Sequence, residues 1–207
     1  MAQKRVNATR MELLRLRRRA LLAKKGHKLL KDKLDGLIRQ LLEIVKQHRR
    51  LSNKIEAELI LVFQKIAVSS AQIEPEVLAT AAAMSTCSAS VDISLTNFMG
   101  VKLPKYELKL EGNPINYSFA QTTGELDQAL TQFKETLANL VKLAELNKAI
   151  LVIAGQIIEI KRRVNALEYV LIPELEASVR FIKMKLSEME RSTIVTLLKI
   201  KDIVRAR

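Results

Sequence analysis

A narrow stripe of apolar residues runs through the first third of this chain, and it limits the fold more than any other feature of the sequence. From Leu13 to Ile55 the stripe advances in alternating steps of three and four residues, and after an extra step of four it continues to Ile66. A repeat averaging ~3.5 residues keeps one face of a helix against a partner helix in a left-handed coiled coil. The extra step is a stutter, which locally unwinds the supercoil. The N-terminal stripe consists of Leu13, Leu16, Ala20, Ala23, His27, Leu30, Leu34, Leu37, Leu41, Ile44, His48, Leu51, Ile55, Leu59, Val62 and Ile66.

The start of this helix carries its own signal. Thr9 is followed three positions later by Glu12, which is the spacing of a capping box. We expect the Thr9 hydroxyl to accept a hydrogen bond from the Glu12 backbone N–H, and the Glu12 carboxylate to accept one from the Thr9 backbone N–H. The pattern predicts an N-terminal coiled-coil helix over residues 9–72, ended by Pro75, because proline disfavours helix at the residue before it.

A second helical pattern covers residues 122–204 and begins at another capping box, Thr122 with Glu125. Pro173 lies inside this helix and predicts a kink near residues 169–173, because the proline ring clashes with the carbonyl four residues earlier. The predicted C-terminal stripe consists of Leu137, Leu140, Ala144, Leu151, Ala154 and Ile158 and, after a shift of register, Val164, Leu167, Leu171, Leu175, Ile182, Leu186 and Met189.

The middle region, residues 73–121, has a different pattern. Pro75 can open a short helix through an alanine-rich segment to about residue 84. After it, Val91, Ile93 and Leu95 alternate with polar residues, which is the period of a half-buried strand. We predict one β-hairpin within residues 88–111.

These patterns combine into one fold. Each long helix has a single apolar stripe, so each needs a partner, and antiparallel pairing of the two helices is the simplest arrangement that covers both stripes. The predicted fold is mainly α: a long two-helix antiparallel coiled coil with a small middle region that contains a β-hairpin. We expect the whole chain, 1–207, to form one elongated domain.

The formal charge of +13 is unevenly distributed. Residues 1–60 carry +11, residues 61–155 carry −2, and residues 156–207 carry +4. A basic end can bind nucleic acid, anionic lipid or an acidic protein surface, and charge alone does not select among them. The first aromatic residue is Phe63, so the basic segment lacks the interleaved aromatics of single-strand binders. Its narrow apolar stripe is typical of helix pairing rather than of a membrane-surface helix.

The sequence offers little chemistry for catalysis. It contains no phosphate-binding GxxxxGK[ST] or GxGxxG motif, and its two histidines, His27 and His48, are roughly 31 Å apart at ~1.5 Å per residue of helix. Cys87 is the only cysteine, which excludes an intramolecular disulfide and fits a reducing compartment. We expect no enzyme activity, catalytic residue, cofactor or metal site. With no signal peptide and no long apolar run, a cytoplasmic location is expected.

Three motifs in the long helices resemble one family. They are TRMELLRL at residues 9–16, GHKLLKDK at residues 26–33 and RRVNALEYVLIP at residues 162–173. The first two look like the first helix of the D subunit of the V-type and archaeal-type rotary ATPases, and the third looks like its C-terminal helix. The resemblance spans nearly the whole chain.

The resemblance implies a central-stalk rotor shaft that couples ATP hydrolysis or synthesis in a catalytic hexamer to rotation and ion transport. It implies as partners the catalytic and non-catalytic nucleotide-binding A and B subunits, the F subunit of the central stalk and a membrane-rotor adaptor, with the complex peripheral to the membrane. A basic coiled-coil protein that binds nucleic acid or acts as a tether is the alternative. The residues expected to contact the catalytic ring are Arg15, Arg17, Arg18, Arg19, Lys24, Lys25 and Lys28.

Overall fold

The computed structural model describes residues 7–84, 86–113, 115–117 and 122–205. Long helices and one antiparallel hairpin make up these residues, which confirms the predicted fold class. In chain order the elements are α1 (Arg10–Gln72), α2 (Pro75–Ala83), β1 (Ser88–Phe98), β2 (Val101–Glu111), α3 (Gly124–Ala166), a π-helical turn (Leu167–Leu171) and α4 (Ile172–Arg205).

The N-terminus of α1 forms half of the predicted capping box. The Glu12 backbone N–H donates to the Thr9 hydroxyl at 3.2 Å, so Thr9 caps the helix as expected. The Thr9 backbone N–H, however, donates to the Asn7 carbonyl at 3.0 Å. The Glu12 carboxylate lies 3.7 Å from Arg15, one turn further along the helix. The predicted reciprocal bond is therefore replaced by a local turn and an ion pair.

The N-terminal stripe is the buried face of α1. Every one of its members is buried or half-buried, with Leu37 and Val62 among the most enclosed side chains. Leucines outside the stripe, such as Leu14 and Leu22, are exposed. The alternation of three and four residues therefore identified the packing face correctly over the whole helix.

The described chain divides into two compact units. The first combines α1 up to Asp35 with the chain from Ile158 onward. Three contacts show that the helices of this unit are antiparallel, because the residue numbers on α1 increase from one contact to the next while those of the partner residues decrease. They are Arg10 with Glu190 at 2.7 Å, Lys24 with Glu176 at 2.6 Å, and His27 with Glu168 at 3.4 Å.

The second unit, Gly36–Ile157, contains the rest of α1, most of α3, α2 and the hairpin. Its long helices are also antiparallel. The contacts that show this are Glu58 with Asn139 at 3.2 Å, Lys65 with Gln128 at 3.3 Å, and Ser69 with Thr123 at 2.9 Å. Antiparallel pairing is thus confirmed within each unit.

The predicted stripe of α3 is wrong in part. Leu151 and Ile158 are 61% and 70% exposed, and Ala144 is exposed as well, whereas Ile153 and Ile160 are buried. Between residues 149 and 160 apolar side chains occupy the whole circumference of the helix, so spacing alone does not distinguish the buried face. In α4 the predicted residue Met189 is also exposed.

A small apolar cluster in the second unit joins α2 to the residue after α1 and to the start of α3. Ile73, Ala81, Tyr117 and Leu126 are its buried members. The α2 helix that contributes to it begins at Pro75, where the missing N–H costs no helical hydrogen bond. The Tyr117 hydroxyl donates to the Asp127 carboxylate at 2.5 Å, so the phenol at the edge of this cluster has a charged acceptor.

Pro173 follows a widened turn of the C-terminal helical region. The Ile172 backbone N–H donates to the Leu167 carbonyl, five residues earlier, which is the π-helical pattern. Proline has no N–H to offer Tyr169, and its ring would crowd that carbonyl in a regular α-helix. Leu171 and Leu175 stay on the packed face because the π turn absorbs one residue. The widened turn at Leu167–Leu171 thus lies where a kink is predicted, near residues 169–173, and the kink itself stays a prediction.

The hairpin matches the predicted range, but β1 is more exposed than expected. Met99 and Gly100 form the turn with positive φ angles of 50° and 81°, the geometry of a type I′ connection. Strand β2 alternates between half-buried and exposed residues, whereas β1 is exposed from Ser88 to Asn97. The period-2 pattern identified the strand correctly, but the half-buried face predicted for it does not form.

Candidate interaction surfaces

The basic residues singled out from the sequence lie on the first unit, along α1, and all seven are exposed. Two of them are engaged within the chain. The Lys24 ammonium lies 2.6 Å from the Glu176 carboxylate, and Arg15 lies 3.7 Å from Glu12. Within the described residues the other five form no ion pair, so their charges are available to an acidic surface. They are Arg17, Arg18, Arg19, Lys25 and Lys28.

Exposed leucines lie between these cations. With Met11, these leucines form a second apolar row on α1, outside the packed stripe. Their spacing does not follow one uninterrupted heptad, so the sequence pattern did not indicate them. Arginine and lysine stems add further apolar surface beside them. The exposed face of α1 is thus both apolar and cationic. The row consists of Met11, Leu14, Leu21, Leu22 and Leu29.

A groove of about 420 Å³ runs between α1 and α4 in this unit. Ala20, Leu21 and Val179 give it an apolar lining, and Arg17 and Arg180 line it as well. Lys24 and Glu176 also line it. The Lys24 ammonium, by its hydrogen bond and its charge, holds the pKa of the Glu176 carboxyl below its ordinary value, with a smaller contribution from Arg180. The groove therefore suits an aliphatic group that carries a negative charge.

The end of α4 is a further exposed surface. Glu190 contacts Arg10 near the start of α1, and every described residue after Glu190 is exposed. This segment is rich in aliphatic residues on several sides of the helix, a composition that favours burial against another surface. The doublets at residues 194–195 and 197–198 are the sequence signal that could have revealed it. The exposed aliphatic residues are Ile194, Val195, Leu197, Leu198, Ile200, Ile203 and Val204.

His27 lies beside the π-helical turn. Its Nε2 atom is buried, forms no hydrogen bond with the residues that the structure describes, and lies 3.4 Å from the Glu168 carboxylate. His48 is half-buried in the N-terminal stripe, further along α1. In the part of the chain that the structure describes, no group of three or more His, Cys, Asp or Glu side chains could hold a metal ion.

Among the described helices, none has an apolar stretch long enough to cross a membrane.

Comparison with known proteins gives one consistent result. Residues 12–202 match the model of the family described as the D subunit of ATP synthase. The V-type ATP synthase D subunit of Thermoanaerobacter sp. (strain X514) is 44% identical over 201 residues, which is 96% of each chain. The protein of the same name from Clostridium botulinum (strain Langeland / NCTC 10281 / Type F) is 43% identical over 207 residues, covering 98% of this chain and 96% of the relative. The chain belongs to the family of ATP synthase D subunits.

Proposed function

We propose that this chain is the central-stalk rotor shaft of a V-type or archaeal-type ATPase or ATP synthase. It couples ATP hydrolysis or synthesis in the nucleotide-binding subunits to rotation and to ion transport across the membrane. The observation that carries the proposal is the family match over residues 12–202, which spans both long helices and the hairpin.

The helix pairing suits a part that transmits torque. In the first unit α1 and α4 share an apolar core around Leu16, Leu175 and Ile182, and the ion pair Arg10–Glu190 crosses between the two helices. A paired helix resists twisting better than a single one, because turning one strand must break its packing against the other. The π turn and Pro173 make the C-terminal helical region irregular, so neighbouring subunits of a ring would meet different surfaces as the shaft turns.

The partners that we propose are those implied by the family resemblance, and the exposed surfaces are compatible with them. The exposed cations of α1 and the aliphatic end of α4 are the surfaces we assign to the ring of A and B subunits, with the seven basic residues as contacts. The second unit would meet the F subunit and the membrane-rotor adaptor. The shaft itself is non-catalytic and binds no cofactor, since the nucleotide chemistry belongs to the ring. The complex would lie on the cytoplasmic side, peripheral to the membrane.

A basic coiled-coil protein that binds nucleic acid or acts as a tether is not favoured. Cations on α1 alternate with exposed leucines rather than with aromatic rings. That mixture fits a protein surface with apolar and acidic patches better than a phosphate backbone, for which the leucines would have no use.

The test is reconstitution. The chain is co-expressed with the A, B and F subunits of its own complex, and gel filtration and ATPase activity are measured. We expect the four proteins to co-elute. A matched variant that ends at Glu190 removes the exposed aliphatic segment and should weaken this association while leaving the helix content of the remaining chain intact. Wild-type chain that elutes apart from the nucleotide-binding subunits would reject the proposal.

A further inference from the structure

The hairpin is attached to both long helices of the second unit. At its tip the Met99 side chain lies against Gly36 of α1, where an added Cβ atom would come within 2.9 Å of the Met99 Cε. Along β2 the Tyr106 backbone N–H donates to the Glu145 carboxylate of α3 at 3.0 Å. Val101, between the two attachment points, is only 3% exposed. The turn and β2 together therefore connect α1 with α3.

The register of the hairpin makes the Tyr106 N–H available to α3. Phe98 and Val101 flank the two-residue turn and form the first hydrogen-bonded pair of the ladder. Hydrogen-bonded and non-hydrogen-bonded pairs alternate from there, so Tyr106, opposite Ile93, belongs to a pair whose backbone groups point away from the partner strand. A carboxylate accepts this outward N–H, and a hydrogen bond to a charged acceptor is roughly twice as strong as one between neutral groups.

The two attachments are equally far apart on the hairpin and on the helix pair. From the turn to the Glu145 contact the strand advances about seven residues, or roughly 23 Å at ~3.3 Å per residue. Asn139 of α3 contacts Glu58 of α1, and because the helices are antiparallel, Glu145 lies level with Ser52. Gly36 and Ser52 are 16 residues apart, about 24 Å at ~1.5 Å per residue of helix. β2 thus runs along the helix pair rather than across it.

An attachment at two levels opposes any change in the winding of the helix pair. The axes of packed helices lie about 8–10 Å apart, so each axis is about 4–5 Å from the line around which the pair winds. If the winding over this interval changed by about 30°, one attachment point would move sideways relative to the other by about 2 Å. Even at right angles to the hydrogen bond of Tyr106, that displacement would lengthen it from 3.0 Å to about 3.6 Å, beyond the range of a hydrogen bond. The strand cannot follow by stretching, because its backbone is already extended.

We propose that the hairpin is a torsional brace of the second unit. It keeps α1 and α3 in one winding between the levels of Gly36 and Glu145, so that a torque applied at one end of this interval reaches the other end with little loss of angle. β1 stays exposed from Ser88 to Asn97, so the turn and β2 are the parts that bear on the helices. The inference deepens the proposed function and rests on it for the torque alone, because the brace itself is a property of the isolated chain.

Distance measurements between two spin labels test the brace in the full-length chain. The labels are attached at Leu42→Cys on α1 and Asn147→Cys on α3, two exposed positions between the levels of the attachments, in a chain that carries Cys87→Ser. Double electron–electron resonance then gives the width of the distance distribution. We expect one narrow distribution for the braced chain, and a distribution wider by about 2 Å or more in Met99→Ala and in Glu145→Ala.

Two further substitutions serve as matched controls. Glu135→Ala removes an exposed carboxylate from the same helix as Glu145. Met189→Ala removes a methionine of α4 that is as exposed as Met99, 46% against 47%. Both controls should keep the width of the braced chain. Circular dichroism shows whether all four variants keep its helix content.

The double variant distinguishes a brace from two independent contacts. The effects of independent contacts add. A brace, in contrast, is released when either end is freed, so Met99→Ala combined with Glu145→Ala should give a distribution no wider than the wider of the two single variants. Widths that add would show two separate contacts and would overturn the inference. Single variants that keep the width of the braced chain would overturn it as well.

The outcomes also separate the brace from the rotor assignment. A chain that gives the expected widths, but elutes apart from the nucleotide-binding subunits in the reconstitution, keeps the brace and loses the proposed function. A chain that co-elutes with those subunits, while Met99→Ala and Glu145→Ala leave the label distances unchanged, keeps the proposed function and loses the brace.

Discussion

The side chain of Met99, at the hairpin turn, packs against Gly36 of α1. A Cβ atom added to Gly36 would lie 2.9 Å from the Met99 Cε and 3.2 Å from its Sδ. Val101, two residues after Met99, is only 3% exposed. The tip of the hairpin is therefore docked on α1, and the absence of a side chain at Gly36 is what permits the contact.

Two glycines of α1 form a natural matched pair for testing this contact. Gly26 has open space where a Cβ would lie, so Gly26→Ala should stabilise the chain by about 1 kcal/mol through helix propensity alone. Gly36→Ala has the same propensity gain but must displace the flexible end of Met99, so its net effect should be close to zero. Thermal unfolding of both variants measures the difference. Equal stabilisation by the two substitutions would mean that the Met99 contact contributes nothing.

Ionisation of Tyr117 should lower the stability of the folded chain at alkaline pH. Burial raises the pKa of the Tyr117 hydroxyl above its ordinary value near 10, and the hydrogen bond to Asp127 raises it further. Because the folded pKa lies above the unfolded one, the stabilisation is complete below pH about 10 and is lost as the pH rises above that value. Tyr117→Phe should cost about 1–2 kcal/mol at pH 7, since Asp127 loses a donor.

A pH series distinguishes the loss of the Tyr117 hydroxyl from a loss of packing in Tyr117→Phe. Wild type and Tyr117→Phe are unfolded in urea from pH 7 to pH 11. The free-energy difference between them should shrink above pH 10, because only wild type loses the contribution of the hydroxyl. A difference that stays constant through pH 11 would contradict the role given to the Tyr117–Asp127 hydrogen bond.

Pro173 should contribute to the coupling between ATP hydrolysis and ion transport more than to folding. Pro173→Ala restores a donor for the Tyr169 carbonyl and removes the clash, so the π turn is no longer required. We expect a straighter helix and a higher free energy of unfolding, by up to about 3 kcal/mol. In reconstituted vesicles the ions transported per ATP hydrolysed should fall. Glu174→Ala, at the neighbouring exposed position, is the control. Unchanged stability and unchanged coupling in Pro173→Ala would argue against this role.

The cations of α1 should act collectively. Each exposed ion pair is worth only about 0.2–1 kcal/mol, so a single alanine substitution should barely change turnover or assembly. Weak contacts can be exchanged as a shaft turns, whereas a strong one would hold it at one angle. Removal of four charges should lower the affinity for the ring, and high salt should do the same, because screening acts over about 8 Å at physiological ionic strength.

A charge-matched control makes this prediction specific. Affinity for the ring is measured across a salt series for wild type and two fourfold alanine variants. The control variant loses the same charge from the second unit and should bind as wild type does. An affinity that does not depend on salt, or that one substitution abolishes, would show that shape or a single anchor holds the shaft. The test variant replaces Arg17, Arg18, Arg19 and Lys28, and the control replaces Lys102, Lys134, Lys142 and Lys148.

The sequence predicted elements best where one periodicity dominates. The stripe of α1 was identified residue by residue because its steps of three and four continue along the whole helix, although apolar residues such as Leu14 and Leu22 lie outside it. In α3 the apolar residues surround the helix, so Leu151 and Ile153 are equivalent by spacing and only packing separates them. The hairpin followed from the period of two at Val91, Ile93 and Leu95. The exposure of β1 could not be predicted from this period, because tertiary contacts decide which face of a strand is covered.

The interaction surfaces were predicted less completely than the fold. Charge identified the basic residues of α1, but nothing in their spacing indicated that Lys24 would pair with Glu176 while Arg17 stays unpaired among the described residues. Those pairings depend on how α1 and α4 align across the first unit. The exposed end of α4 was overlooked because its aliphatic residues look like a continuation of a packed helix. Exposure becomes visible only once the start of α1 is placed beside Glu190.

Single-molecule rotation tests the rotor assignment most directly. Cys87 is the only cysteine of the chain and is exposed, so it can carry a bead while the complex is fixed to a surface through cysteine-free nucleotide-binding subunits. On addition of ATP we predict stepwise rotation of the bead in one direction, which stops when ATP is exhausted. A bead that keeps a fixed angle while the same complexes hydrolyse ATP would contradict the central claim that this chain is the rotating shaft.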